Sequence, residues 1–158
     1  MVVLLIKRLF GKLQMNKEQF LLYIDDAIKQ EMLLGSSKNE CRLIGLRNIK
    51  SDFNYIASKN NKLSAIDILK SMYKERSDNA SLYLSEGRND LWIQENTELN
   101  LLNNYLPPEP SKTQVVNFLN ELDIPKQKSS FKKFQDACVE KFGQKIDSQI
   151  ILDFINGN

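Results

Sequence analysis

Two groups of residues in this 158-residue chain have types and spacings that could do chemistry. The first is a pair of charges that interrupt apolar stripes. Arg76 takes a place on the stripe Leu69, Met72, Ala80 and Tyr83, and Glu95 takes one on the stripe Trp92, Leu99, Leu102 and Leu106. A guanidinium and a carboxylate on facing helices can pair and fix their register. Each side chain can instead carry its own charge out to water. The second group is basic. Lys126, Lys128, Lys132 and Lys133 lie close together, and Lys141 and Lys145 follow. Clustered ammonium groups suit phosphate, and Phe131 among them could stack on a splayed base. A solvated helix face would carry the same lysines.

Other chemistry finds little support. The chain has no histidine, which removes the commonest general base and metal ligand. Cys41 and Cys138 lie far apart in helical patterns. They are too few for a thiolate zinc site and read better as two buried free thiols than as a disulfide. There is no glycine-rich phosphate loop, no G-x-S-x-G, no paired-ligand spacing and no internal repeat. No catalytic, cofactor-binding or metal-ligating residue is therefore assigned, and no cofactor is expected. The net charge of +2 is not that of a strongly basic nucleic-acid binder. The distribution is uneven, however. Residues 61–110 carry five basic against eight acidic groups, and residues 111–158 carry seven against six.

The elements that must position these groups read as helices. A chain 42% hydrophobic with six glycines and four prolines favours an all-α fold over a sandwich or barrel. Phe20, Ile24, Ala27, Ile28 and Met32 mark a first helix from about Asn16 to Leu34. Gly35–Asn39 then stops it. Leu46, Ile49, Phe53 and Ile56 mark a second, from about Glu40 to Lys59. Ser64 with Asp67 opens the third with a start like a capping box. Gly87 and Asn89 break the pattern, and Asn89 or Asp90 caps the fourth. If the third and fourth helices are antiparallel about Gly87–Asn89, Arg76 and Glu95 lie within about one helical turn of each other.

The stretch Asn103–Gln114 holds Pro107, Pro108 and Pro110, three of the four prolines. Pro107 stops the fourth helix, and Ser111 with Gln114 forms a capping box that starts another. Residues 107–111 thus read as a stiff hinge between a bundle at 16–106 and a three-helix domain at 112–158. A plain interhelix loop is the alternative. Tyr105 and Leu106 are an apolar pair suited to pack at the joint. The last three helices are marked by Val115, Phe118, Leu119 and Leu122; by Phe131, Phe134, Ala137, Cys138 and Phe142, ended by Gly143; and by Ile150, Ile151, Phe154 and Ile155, capped by Asp147 or Ser148.

Residues 1–15 are basic, amphipathic and free of acids, since Glu18 is the first acidic residue. That pattern fits a mitochondrial presequence, or simply the start of the first helix. The apolar run is too short to span a bilayer.

The ordered set from Ser64 to Val116 resembles the GatB/YqeY-like family, helical proteins similar to the C-terminal tail of the GatB component of the tRNA-dependent amidotransferases. The residues that carry the resemblance are Lys74 and Arg76, Tyr83, Arg88 with Asp90 and Leu91, Glu95 and Glu98, Tyr105–Leu106–Pro107, and Ser111. It extends over roughly Phe20 to Ile155, and the basic N-terminus is similar to fungal mitochondrial members. A Met-Gly-Lys-type turn of the family is Phe131–Lys132–Lys133 here.

The resemblance implies a link to carbon–nitrogen ligation with glutamine as amido donor, whose chemistry lies in other parts of the amidotransferase. The expectation is a non-catalytic tRNA-binding or accessory module of the mitochondrial matrix. Its lysines and Phe131 would meet tRNA. The alternative is an adaptor that docks on an amidotransferase or another mitochondrial complex through an apolar patch between the subdomains.

Overall fold

The computed structural model describes residues 15–157, and the described residues form seven α-helices and no strand. The chain divides into two compact units, with the break between Leu106 and Pro107. Each is built around its own apolar cluster.

The first unit holds α1 (Lys17–Leu33), α2 (Glu40–Lys59), α3 (Ala65–Ser85) and α4 (Asn89–Asn103). Short polar side chains start the first three. Asn16 and Gln19 form a reciprocal capping box on α1. Asn39 accepts from the Arg42 N–H, and Ser64 accepts from the Asp67 N–H at 3.1 Å. The box at Ser64 stays incomplete, because the Asp67 carboxylate takes the Ser64 hydroxyl (2.9 Å) rather than the backbone. Asp is one methylene shorter than the Glu that usually closes this motif.

The start of α4 differs from expectation. Neither Asn89 nor Asp90 caps it; Arg88 occupies the cap position without a side-chain bond. Gly87, at φ +69°, ends α3 in the left-handed conformation. The Arg88 N–H then reaches the Tyr83 carbonyl at 2.9 Å. The turn is so tight that Asn89 and Asp90 already lie inside the next helix.

Phe20, Ile24, Leu46, Ile49, Phe53, Ile68, Leu69, Met72 and Leu102 are fully buried. Phe20 packs on Phe53 with centroids 4.3 Å apart and meets the Tyr105 ring edge-on at 5.3 Å. Each such aromatic or aliphatic side chain stabilises the unit by roughly 1.5–3 kcal/mol. Met32 does not join them: it is exposed, and its neighbour Glu31 takes the buried side of this turn of α1. Cys41, expected to be buried, is also exposed. It sits in the first turn of α2, ahead of the buried stripe that starts at Leu43. Gly45 marks a close approach of α2 and α4, where an added Cβ would lie 2.9 Å from Leu101 Cδ1.

The second unit holds α5 (Lys112–Glu121), α6 (Phe131–Phe142) and α7 (Ser148–Asn156). Ser111 and Gln114 close the expected capping box. A 3₁₀ turn at Lys128–Ser130 runs directly into α6. Gly143, at φ +69°, ends α6, and Asp147 caps α7 by accepting from the Gln149 N–H. Val115, Leu119, Phe134, Cys138 and Ile151 form the buried centre, and Phe134 meets Phe154 edge-on at 5.5 Å. Gln135 fastens the chain between α6 and α7. Its amide donates to the Ile146 carbonyl (2.9 Å) and accepts from the Ile146 N–H (3.4 Å).

Among the described residues no helix is long and apolar enough to cross a membrane.

Candidate functional site

Within the first unit, a polar network ties three helices together. Arg76 of α3 is buried, and its Nε donates to Glu98 Oε2 of α4 at 2.6 Å. Its Nη2 donates to Asp52 Oδ2 of α2. Asn48, one turn earlier on α2, donates to the other Glu98 oxygen at 2.9 Å. Burial is the largest influence on the guanidinium and lowers its pKa, but the hydrogen bonds to Asp52 and Glu98 win, and the net shift is upward. Arg76 therefore stays charged in the interior, as a planar donor fork held by two carboxylates can.

Of the two alternatives for Arg76 and Glu95, the pair does not form. The partner is Glu98, three residues further along α4. The reason is register. In an antiparallel helix pair, residues equidistant from the turn face each other. Arg76 and Glu98 are equidistant from Gly87, whereas Glu95 falls about 4.5 Å short along the axis. Glu95 is half-buried beside the network, and its Oε2 is buried without a hydrogen-bond partner. Burial chiefly raises its pKa, with Glu98 adding to the rise and Arg76 and Asn79 opposing it.

The remaining motif residues of this unit have structural places. Lys74 is exposed on α3. Arg88 and Asp90 pair across two residues on the exposed turn, at 3.4 Å, and the Arg88 hydrogen bond is the main cause of a lowered Asp90 carboxyl. Leu91 is half-buried. Tyr105 and Leu106 pack against the core of this unit, and burial raises the Tyr105 hydroxyl. Asn48, Asp52 and Asn79 were missed. Their signal is weak but present: Asn48 and Asp52 lie one turn apart on α2, on the margin of the stripe Leu46, Ile49 and Phe53.

A second missed group is Glu31, a buried acid at the end of α1. Its carboxylate accepts the Asn39 N–H at 2.5 Å and pairs with Arg42 Nε at 3.0 Å, so it ties α1 to the start of α2.

Within the second unit, Lys126, Lys128, Lys132 and Lys133 are all exposed. Lys128 lies in the 3₁₀ turn that leads into α6, and Lys132 and Lys133 lie in the first turn of α6. Between Pro125 and Gln135 there is no acidic residue. This tract lies at the N-terminal end of α6, the positive end of its dipole, where added cations are disfavoured. Lys126 also caps the Phe154 ring, with Nζ 4.0 Å from its centroid. Phe131 is half-buried and packed against the core, so only part of its ring faces water. Lys141, in the last turn of α6, lies roughly 13 Å along the axis from Lys132 and reaches over Phe118. Lys145 follows beyond Gly143. Four of the six lysines thus fall within the eight residues Lys126–Lys133, and the other two lie further along the chain. Pro107 is buried, and the Pro108 carbonyl accepts from the buried Gln144 amide at 3.0 Å.

No group of three or more Cys, Asp or Glu side chains among the described residues could hold a metal ion.

A family model described as Yqey-like protein matches residues 22–151, from within α1 into α7. The chain belongs to this family. The Yqey-like domain is related to the GatB tail of the amidotransferases. The match spans both the Arg76 network and the lysine tract, so both are parts of the Yqey-like region. No curated protein matches the chain.

Proposed function

We propose that this Yqey-like protein is an accessory module that binds tRNA, with the tract Lys126, Lys128, Lys132 and Lys133 as its phosphate-contacting surface. The carrying observation is the electrostatic cost of that tract. Four exposed lysines fall within eight residues without an acid, two of them in the first turn of α6, the helix end that least favours them. An RNA backbone would turn that cost into attraction. The resemblance to the GatB tail points to tRNA among polyanions. The half-exposed edge of Phe131 can meet a base while the rest of the ring holds the core. Lys141 and Lys145 extend the surface to a second phosphate group further along the backbone.

The test is tRNA binding by fluorescence anisotropy with wild type and the double variant Lys132→Glu/Lys133→Glu. The variant should weaken binding at least tenfold at low salt and lower the slope of log K against log salt by about 2. Unchanged affinity and slope would sink the proposal.

A second reading, a protein adaptor, draws support from the run Met32, Leu33 and Leu34 at the end of α1, where three consecutive apolar side chains are exposed. Pull-down that returns RNA without a stoichiometric protein would count against it. For location, the basic amphipathic segment at 1–15 supports import into the mitochondrial matrix. Residues 1–14 of it lie outside the described residues. Met15 is buried in the core of the first unit, which supports a cleavage ahead of it rather than after it. A fusion of residues 1–14 to a fluorescent protein that stays cytosolic would refute the import reading.

A further inference from the structure

Three carboxylates surround one committed guanidinium in the first unit. Arg76 gives Nε to Glu98 and Nη2 to Asp52. Glu95, one turn before Glu98 on α4, is left with a buried oxygen that has no partner. Charged and polar groups face it from each packed element. From α3 come Arg76, Asn79 and Glu75; from α4 itself comes Glu98. On α2, Asp52 is bound to Arg76 and Asn48 to Glu98, so both act on Glu95 through those partners. Glu75 and Glu98 repel a charged Glu95; Arg76 and Asn79 oppose them, but Arg76 is already shared by two acids.

We propose that Glu95 is a proton-operated latch on the α3–α4 hairpin: protonated, it lets the two helices close over the Arg76 network, and ionised, it loosens them. The proton goes to the Glu95 carboxyl from solvent and returns there, and nothing else changes. Burial, the main cause, already holds this carboxyl above its ordinary value. The native state thus binds the proton more tightly than the unfolded chain. Stability from this group is fully present below the ordinary carboxylate range, about 4.3, and is lost as pH rises through the higher folded value.

Urea unfolding followed by the fluorescence of Trp92, three residues before Glu95 on α4, reads this directly. The isosteric variant Glu95→Gln cannot ionise. Its midpoint should exceed that of wild type at pH 8, and the gain should shrink to nothing at pH 4. A gain that is absent, or equal at both values, overturns the proposal. A second readout does not depend on how stable a variant is. Carboxyl NMR of wild type should show Glu95 titrating above the exposed glutamates, and Asp52→Asn should bring that titration down by freeing part of the Arg76 charge. Titration of Glu95 among the exposed glutamates would also overturn it.

Discussion

Replacing Arg76 with Met keeps the aliphatic stem but removes the cation from between Glu98 and Asp52. The two acids are not equal. The Glu98 side chain is 5% exposed, whereas that of Asp52 is 50% exposed. Removing one partner of a buried pair costs about 3–5 kcal/mol, because the other charge is left in the interior. A half-exposed pair is worth at most about 1 kcal/mol. Asn48 still donates to Glu98, which keeps the loss toward the lower bound. The expected destabilisation is therefore about 3 kcal/mol at neutral pH. With a urea slope of about 1.5 kcal/mol per molar, the midpoint should fall by about 2 M. Trp92 is the single tryptophan and lies on α4, so its fluorescence reports the unit that holds the network. Adding Glu98→Gln to Arg76→Met should recover most of the loss, since a neutral amide can still accept from Asn48. A loss below about 1 kcal/mol, or no recovery in the double variant, would refute the view that Glu98 is the buried partner.

Gly45→Ala adds a methyl 2.9 Å from Leu101 Cδ1 and 3.4 Å from Glu98 Cγ; the overpacking cost of about 1–3 kcal/mol should exceed the helix-propensity gain of about 1, so urea unfolding should show a net loss. Burial pushes the Cys138 thiol up to about 11, whereas Cys41 is exposed; iodoacetamide at pH 8 should label Cys41 within minutes and Cys138 only in denaturant, and equal labelling by mass spectrometry would contradict this. Gln135→Ala strips both bonds to the Ile146 backbone, and far-UV circular dichroism should show a loss of about 1–3 kcal/mol. Ser111→Ala removes the cap of α5 and should cost about 1 kcal/mol in the same assay.

Much of this fold is written locally. The caps at Ser64 and Ser111, the stops at Gly35, Gly87 and Gly143, and stripes such as Leu46, Ile49 and Phe53 all act within one or two turns of chain. Arg76 was visible as a charge on an apolar stripe for the same reason. Its partner was not visible, because the choice between Glu95 and Glu98 depends on helix register. That register is set by the tight turn at Gly87 and the close approach at Gly45, both tertiary matters. Glu31 carries no local mark of burial, because its partners Asn39 and Arg42 come from the start of the next helix. Met32 and Cys41 sat on readable apolar patterns, yet both are exposed, each on the outer side of a terminal turn. The lysine tract was legible as composition. The 3₁₀ turn that feeds it straight into α6 was not, because Lys128–Ser130 carries no helix-start signal beyond its serines.

The central claim, that tRNA is held by the tract at the start of α6, is tested most directly by ultraviolet crosslinking of the full chain to tRNA. Mass spectrometry then maps the crosslinked peptides. The account predicts crosslinks concentrated between Pro125 and Phe134, with Phe131 among the adducts, and their loss in the Lys132→Glu/Lys133→Glu variant. Crosslinks confined to Met15–Leu106, or none above an unrelated acidic protein, would contradict it.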